Sequence, residues 1–277
     1  MSAESNVTPQ KTAAFQKTIL SFYRKHKRQL PWRDDTSPYS VFVSEIMLQQ
    51  TQVERVRQKY PPFIERFPDF QSLADSSLEE VFIMWKGLGY NRRARALRDA
   101  ARIIIEQHGG VLPSSPQQLE QLPGIGSATA ASIAAFAFNA KVLFLETNIR
   151  TVYIHHFFPD STEVRDSDII ALLEQTIDWE NTAEWYSALM DYGTELKKIH
   201  GNLSRKSSYY KKQSRFVGSR RQLRGLVLAL LLEEKVLSVN EIVRKLKRGK
   251  EPVSEVLELL TREGIVQKER SRYRVGE

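Results

Sequence analysis

The sequence predicts a mainly α-helical protein that ends in a smaller domain of a different type. Across residues 12–199, apolar residues recur at spacings of three and four, the period of a helix, and alternating strand-like runs are scarce. Residues 205–224 contain eight Lys or Arg residues and no acidic residue, which is typical of a linker. After residue 222, three short helical segments precede a loosely alternating run that predicts a hairpin over residues 265–275.

We therefore predict three parts of the chain: a helical domain over residues 1–204, a basic linker over 205–221, and a winged helix-turn-helix over 222–277. Winged-helix modules enter a DNA groove in many proteins and serve only as protein contacts in others. The basic linker also has two possible interpretations: it is either a solvated connector or a segment that contacts phosphates.

Local signals predict several helix ends. In a capping box, two side chains three positions apart accept hydrogen bonds from main-chain N–H groups at the start of a helix. This spacing occurs in the pairs Ser77 with Glu80 and Ser238 with Glu241. Gly109 follows an apolar helix and is expected to end it, because glycine readily adopts the left-handed conformation of a helix terminus.

Composition narrows the classes of function. The formal net charge of +8 favours an anionic partner such as nucleic acid. Charge alone is equally consistent with a basic protein that binds no polyanion. The chain contains no cysteine, which excludes disulfides, thiolate metal sites and a cysteine nucleophile. Residues 1–17 are polar, and no run of 18 apolar residues occurs, so we expect a cytoplasmic protein without a membrane span.

A glycine turn followed by an alanine-rich segment is the first informative motif. Gly124 and Gly126 are separated by one residue, and a helix is expected to start directly after them. Main-chain N–H groups in such a turn, together with the positive end of a helix, suit a phosphate. The motif is typical of a helix-hairpin-helix DNA-binding element. Its candidate DNA-binding residues are Leu122, Gly124, Gly126, Ser127 and Thr129.

A carboxylate and a run of amides form the second motif. Glu45 is followed by apolar Ile46 and Met47, and partial burial would keep its carboxyl protonated and available as a donor. Gln49 and Gln50 add hydrogen-bonding groups without charge, and such groups can fill the gap left by an extruded base. The alternative is a glutamate on an exposed helix face.

Two further motifs combine charge with turn residues. Tyr90 lies between glycines and arginines that begin with Arg92, which indicates either a loop near DNA or a solvated basic helix start. An apolar run leads to Glu146, where Thr147 or Asn148 would cap the next helix. We count Arg150, in the same helix, among the DNA-binding candidates.

Together these segments resemble the MutY adenine DNA glycosylases, in the superfamily of endonuclease III. The motifs SEIMLQQTQV, GLGYNRRARAL, LPGIG and ALMDYG occur in the family's order over about residues 30–193, with a weaker match at 215–220. The resemblance implies a two-lobed helix-hairpin-helix glycosylase fold and a monomer that binds double-stranded DNA with a mismatched or damaged base pair. It also implies that Glu45 and Glu146 face each other across one cleft.

The resemblance implies roles for individual residues. Glu45 would protonate the adenine ring, Gln49 would wedge into the duplex, and Tyr90 would insert beside the lesion pair. Asn148 matches an asparagine near the second carboxylate, Glu146. The residues expected to shape the adenine pocket are Trp32, Arg33, Leu48 and Asp191. Ala128 stands where bifunctional relatives use a lysine, so strand-cleaving lyase activity is expected to be absent or weak.

Three departures from the family pattern stand out. Glu146 replaces an aspartate, and Thr147 replaces a glycine, which would alter the position of the second carboxylate. Lys197, Lys198 and His200 occupy the region that holds iron–sulfur cysteines in the family, so we expect no cluster and no other cofactor. A winged helix is predicted where the family has a Nudix-like domain that reads 8-oxoguanine.

The function expected from the resemblance is excision of adenine opposite guanine or 8-oxoguanine, by a glycosylase without lyase activity. A thymine or uracil mismatch glycosylase is the first alternative, and Trp32, Arg33 and Leu48 argue against it. A DNA-binding or damage-sensing protein with an impaired site is the second. Glu146 favours that reading, whereas the retained Glu45 opposes it.

Overall fold

The computed structural model describes residues 7–210 and 217–277, and this part of the chain is mainly helical, as predicted. Its helices are α1 (Pro9–His26), α2 (Pro38–Leu48), α3 (Val53–Arg66), α4 (Phe70–Asp75), α5 (Leu78–Trp85), α6 (Arg92–His108), α7 (Pro116–Leu119), α8 (Ser127–Phe138), α9 (Thr147–Phe157), α10 (Asp166–Thr176), α11 (Thr182–His200), α12 (Arg220–Glu234), α13 (Val239–Leu246) and α14 (Lys250–Arg262). The strands are β1 (Leu237–Ser238), β2 (Val266–Glu269) and β3 (Arg272–Val275). Single 3₁₀ turns occur at Pro31–Arg33 and Leu203–Lys206.

The helix ends predicted from local signals are confirmed. Ser77 and Glu80 form a reciprocal capping box at α5, and Ser238 and Glu241 form another at α13. Gly109 ends α6 with a left-handed backbone, at φ 61°. Each of these features depends on residues three or four positions apart, which is why sequence alone identifies them.

Contacts between Cα atoms divide the chain into two compact units. Among the described residues, the first unit comprises 7–41, 114–120 and 126–210. Its core is an aromatic-rich cluster in which Phe15 of α1 lies edge-on to Tyr153 of α9 and Trp185 of α11, with ring centroids 5.4 and 5.9 Å apart. Helix α11 packs against both α1 and α9, so it forms the centre of this unit.

Among the described residues, the second unit comprises 42–113, 121–125 and 217–277. Here α6 packs against α4 and α5, and buried rings such as Phe63 and Trp85 fill the space between helices. The C-terminal segment belongs to the same unit. Arg95 of α6 donates to the carbonyl of Glu263, and Arg98 Nη2 donates to the carbonyl of Glu277 at 3.1 Å.

The hairpin predicted over residues 265–275 is present as β2 and β3, which pair antiparallel with Lys268 opposite Tyr273. The two-residue strand β1 was not predicted; it completes a sheet of order β1-β3-β2. Helices α12 and α13 both pack against α14. The winged helix-turn-helix class for this segment and the boundaries 1–204, 205–221 and 222–277 stay predictions, and residues 211–216 of the linker lie outside the described residues.

Among the described residues, no helix combines the length and apolar character that crossing a membrane requires.

Candidate active site

Glu146 lies at the N-cap of α9, where the positive end of the helix favours a carboxylate. Its side chain accepts no capping hydrogen bond, so the carboxylate is not used to close the helix. Burial raises the pKa of Glu146 and outweighs the positive charges of Arg150 and Lys197, which lower it, so the pKa lies above its ordinary value. The expectation that Thr147 or Asn148 caps this helix is wrong, because both residues are already helical and Glu146 is the last extended residue, at φ −114° and ψ 171°.

Asn148 is held by residues of α11. Its side-chain oxygen accepts a hydrogen bond from Lys197 Nζ at 2.9 Å, and its Nδ2 lies 3.9 Å from the sulfur of Met190. Gly193 permits this arrangement, because a Cβ at that position would collide with the main-chain carbonyl of Asn148. The start of α9 therefore lies directly against α11, and both Glu146 and Asn148 lie at that start.

Arg150 was predicted to contact DNA, and the structure shows it engaged in an ion pair. Its Nε lies 3.0 Å from both carboxylate oxygens of Asp166, and Ser207 donates to the same carboxylate at 2.8 Å. Burial raises the pKa of Asp166, but the hydrogen bonds from Arg150 and Ser207 outweigh it, so the pKa lies below its ordinary value. Arg150 thus ties α9 to α10.

Two of the predicted pocket residues, Arg33 and Asp191, are in direct contact. The buried Asp191 carboxylate accepts from Arg33 Nη1 at 2.8 Å, from Arg33 Nη2 at 2.9 Å, and from Nε of Arg28 at 2.6 Å. The main-chain N–H of Arg28 donates to it at 3.0 Å. Burial raises the pKa of Asp191, but Arg33 and Arg28 lower it more. Asp191 therefore acts as an anion that fixes two arginines, and buried Trp32 precedes Arg33 in the same 3₁₀ turn.

Glu45 lies in α2, within the second unit. Its side chain is half-buried, and its neighbours Ser44, Ile46 and Met47 are fully buried. Leu48, a predicted pocket residue, is half-buried at the end of the same helix. The partial burial expected from the apolar neighbours of Glu45 is therefore present.

Arg93 organises the end of α2. Its Nη1 donates to the carbonyls of Ile46 and Met47 at 2.7 and 3.0 Å, and its Nη2 donates to Thr51 Oγ1 at 2.9 Å. Its Nη2 also lies 3.3 Å from the carbonyl of Leu88. The last carbonyls of a helix have no partner within the helix, so one guanidinium satisfies groups that burial would otherwise make costly. Burial lowers the pKa of Arg93 to about 10, which leaves it charged at neutral pH.

Tyr90 lies in a turn of unusual backbone conformation, with φ 48° at Tyr90 itself. Two guanidinium groups lie near its ring: Arg93 at 5.6 Å and Arg221 at 5.3 Å from the centroid. Arg221 also donates to the Tyr90 hydroxyl. Arg92, the predicted DNA contact, is exposed at the first residue of α6. Of the arginines following Tyr90, Arg93 therefore turns inward, away from the phosphate contact that the motif suggested.

The predicted glycine turn is present. Gly124 has φ 78°, and a Cβ there would approach the Cβ of Ala96 to 2.8 Å, so this position requires glycine. Leu122 is buried and anchors the turn, whereas Gly124 is exposed. Gln49 Nε2 donates to the carbonyl of Gly124 at 3.2 Å, which joins the predicted wedge residue to the turn.

The remaining DNA-binding candidates lie on accessible segments. Gln50 is exposed and has φ 51°, which ends the helical run that carries Glu45. Gly126 is the N-cap of α8, and Ser127 is exposed in its first turn, with Thr129 half-buried. The main-chain N–H groups at this helix start have the arrangement expected of an anion-binding turn.

The structure thus brings together Glu146 with Asn148, Arg33 with Asp191, and Gln49 with Gly124. The expectation that Glu45 and Glu146 face each other joins residues of two units and stays a prediction.

Sequence reasoning missed the roles of Lys197, Arg93 and Arg221. Arg93 lies inside a quoted motif and Lys197 lies four residues after another, but a basic residue in or near a motif is most often solvated. Their partners lie on other elements, and a helical period alone does not identify those partners.

Comparison with known proteins identifies a domain and its relatives. Residues 43–178 match the family model described as HhH-GPD superfamily base excision DNA repair protein. The chain is 39% identical over 187 residues to an adenine DNA glycosylase of Buchnera aphidicola subsp. Baizongia pistaciae, a match that covers 66% of this chain and 52% of the relative. It is 38% identical over 195 residues to an adenine DNA glycosylase of Mus musculus, covering 66% of this chain and 38% of the relative. The chain therefore spans about half or less of the length of these curated relatives.

Among solved structures, a thermostable thymine-DNA glycosylase matches with a TM-score of 0.61 and 25% sequence identity. The match covers 74% of this chain and 99% of that one. The described helices therefore have the fold of this glycosylase over most of the chain.

Proposed function

We propose that the chain is a DNA N-glycosylase that removes adenine from mismatched duplex DNA, because residues 43–178 match the HhH-GPD superfamily model of base excision DNA repair proteins. The observation that carries the proposal is the 39% identity to a protein named adenine DNA glycosylase. Both Glu45 and Glu146 fall within residues 43–178, the segment that the family model matches.

The proposed reaction uses two carboxyl groups in different roles. Glu45 donates its proton to a ring nitrogen of adenine, so that the base leaves with the electron pair of the glycosidic bond. Glu146, as the carboxylate, stabilises the oxocarbenium-like sugar until water adds to C1′ and passes its proton to the Glu45 carboxylate, which leaves an abasic site. The half-burial of Glu45 supports its role as the acid, and the positive charges of Arg150 and Lys197, which oppose the effect of burial on the pKa of Glu146, support the role of Glu146.

The DNA is a duplex with a mismatched or damaged pair, opposite guanine or 8-oxoguanine. Gln49 and Tyr90 would occupy the space of the extruded nucleotide, and the turn around Gly124 with the start of α8 would bind phosphates. The hydrogen bond from Gln49 to Gly124 supports a shared role for these two segments. We expect a monomer, which is the form the resemblance implies.

Cofactor and lyase chemistry are proposed to be absent. The sequence has no cysteine to ligate an iron–sulfur cluster, so the enzyme would act without one. Ala128 carries no amine for a Schiff base, so strand cleavage after base removal would require alkali.

One observation favours a second candidate function. The thymine-DNA glycosylase that matches with a TM-score of 0.61 is covered over 99% of its length, whereas the adenine glycosylases are covered over about half or less. Excision of thymine or uracil opposite guanine is therefore the alternative to test beside adenine.

The test uses duplexes that carry A, T or U opposite G or 8-oxoguanine, followed by alkali and measurement of strand breaks. We expect breaks at adenine only. Breaks at pyrimidines only would establish the alternative, and binding without breaks on any duplex would indicate a DNA-binding protein with an impaired site.

The variant Glu45→Gln tests the proton donor. Loss of a positioned acid costs about 10²- to 10⁴-fold in rate, so breaks should disappear while duplex binding persists. Glu54→Gln is the matched control, because Glu54 is an exposed carboxylate on α3 with 77% of its side chain accessible. Equal activity of the two variants would refute the assignment of Glu45.

A further inference from the structure

Lys197 is a charged group inside the first unit that the proposed reaction does not use. It lies near the end of α11, with a half-buried side chain and its Nζ 2.9 Å from the side-chain oxygen of Asn148. Its charge also acts on Glu146. A lysine normally keeps its ammonium group in water, so a half-buried ammonium directed at two site residues needs an explanation.

The backbone gives Lys197 its reach. Gly193 lies one helical turn before Lys197 on the same face of α11, and its missing side chain leaves room for the carbonyl of Asn148. The start of α9 therefore comes close enough for a lysine side chain to contact the Asn148 amide. Because the Lys197 ammonium can only donate, it fixes the Asn148 oxygen toward itself and directs Nδ2 the other way.

The cations near Glu146 differ in the partners to which they are bound. From its own helix it faces Arg150, which is paired with Asp166 of α10. From α11 the charge of Lys197 acts on it, and the Lys197 ammonium donates a hydrogen bond to the neutral Asn148 amide. Lys206, in the 3₁₀ turn packed against α9, donates to the carbonyl of Pro159. The Arg150 charge is thus paired with a carboxylate, whereas the Lys197 ammonium donates to the neutral Asn148 amide and its charge acts on Glu146.

We propose that Lys197 is a positioning residue for the glycosylase reaction, which orients the Asn148 amide and opposes the effect of burial on the Glu146 carboxylate. The inference rests on the proposed function. In this chain the second carboxylate is a glutamate, and Lys197 is one of two cations, with Arg150, whose charge lowers the pKa of Glu146. Burial of either charge alone is costly, and the opposite charge offsets that cost.

The test compares Lys197→Met, Lys197→Arg and the control Lys198→Met in single-turnover excision of adenine across pH. Lys198 is exposed and paired with Glu195 at 2.8 Å, so its variant should match the wild type. Lys197→Met should lose about tenfold or more in rate at pH 7, which is the scale on which misplaced catalytic groups cost activity. The acid side of its pH–rate profile should move to higher pH, because loss of the cation raises the pKa of Glu146. Lys197→Arg keeps the positive charge, so the acid side of its pH–rate profile should lie where it does in the wild type.

A second measurement does not depend on excision. The carboxyl-carbon NMR titration of Glu146, assigned through Glu146→Gln, should move to higher pH in Lys197→Met and stay near the wild-type midpoint in Lys197→Arg. An unchanged midpoint in folded Lys197→Met would overturn the inference, whether or not the wild type excises adenine. Absence of excision by the wild type with a shifted midpoint would instead overturn the proposed function alone.

Discussion

The two compact units hold their candidate residues by different physical means. In the first unit, carboxylates meet cations: Glu146 faces Lys197, Asp166 is paired with Arg150, and Asp191 binds Arg33. In the second unit, Glu45 lies on a helix whose end is fixed by hydrogen bonds from Arg93 to main-chain carbonyls. The first arrangement depends on the ionisation of acids, and the second depends on a guanidinium that stays charged at neutral pH.

This comparison has a practical consequence. Conditions that protonate carboxylates should loosen the first unit before the second, and removal of Arg93 should affect the second at any moderate pH.

The variant Asp191→Asn should destabilise the protein by about 3–5 kcal/mol, because it leaves two partly buried arginines without their shared anion. Asp168→Asn is the control: Asp168 pairs with the exposed Arg165, and such surface pairs contribute about 0–1 kcal/mol. Urea unfolding of both variants gives the comparison, and equal losses would contradict the structural role of Asp191.

The same aspartate sets a pH dependence. The pKa of Asp191 is lowered in the folded protein, so its contribution is present above the ordinary value of 3.8 and is lost as pH falls through the lower folded pKa. Unfolding followed at descending pH should therefore show a loss in the wild type that is smaller in Asp191→Asn. If the free energy of unfolding falls equally in the two proteins as the pH is lowered, Asp191 is not a source of the acid-dependent loss.

The variant Arg93→Met should cost about 2–3 kcal/mol, because carbonyls at the end of α2 lose a charged donor. The loss should be the same at pH 6 and pH 8, in contrast to the acid-dependent Asp191 effect. Arg92→Met, which removes an exposed neighbour, should change stability little. Thermal unfolding of the two variants at both pH values checks this prediction.

The smallest expected effect comes from glycine-to-alanine substitutions in helices. Gly193→Ala should destabilise by about 1–2 kcal/mol, because the added Cβ meets the carbonyl of Asn148. Gly225→Ala in α12 meets nothing within 4 Å and should be neutral or stabilising by up to ~1 kcal/mol, the helix preference for alanine over glycine. Opposite signs in denaturant unfolding would confirm that Gly193 serves a close approach of helices, and stabilisation by both would exclude it.

Parts of the candidate site were accessible from the sequence, and parts were not. The apolar neighbours of Glu45 predicted its half-burial, and the two glycines of the turn predicted the exposed position of Gly124. The inward direction of Arg93 and the engagement of Arg150 with Asp166 were not predicted, because a charged residue on a helix reads as solvated until its neighbours are known.

The sequence by itself determined the local features. Capping boxes at Ser77 and Ser238, the left-handed end at Gly109 and the hairpin of β2 and β3 depend on residues a few positions apart. The strand β1 escaped prediction because two residues are too short for an alternating pattern to show.

Only the tertiary structure decided which charges meet. Arg33 and Asp191 are 158 positions apart, and Asn148 and Lys197 are 49 apart. Helical periodicity tells which face of a helix is apolar, but the partner of each polar group at the edge of that face depends on how the helices pack. The positions of Lys197 and Asp191 follow from that packing. At Gly193 the close packing of α9 against α11 is possible because glycine has no side chain.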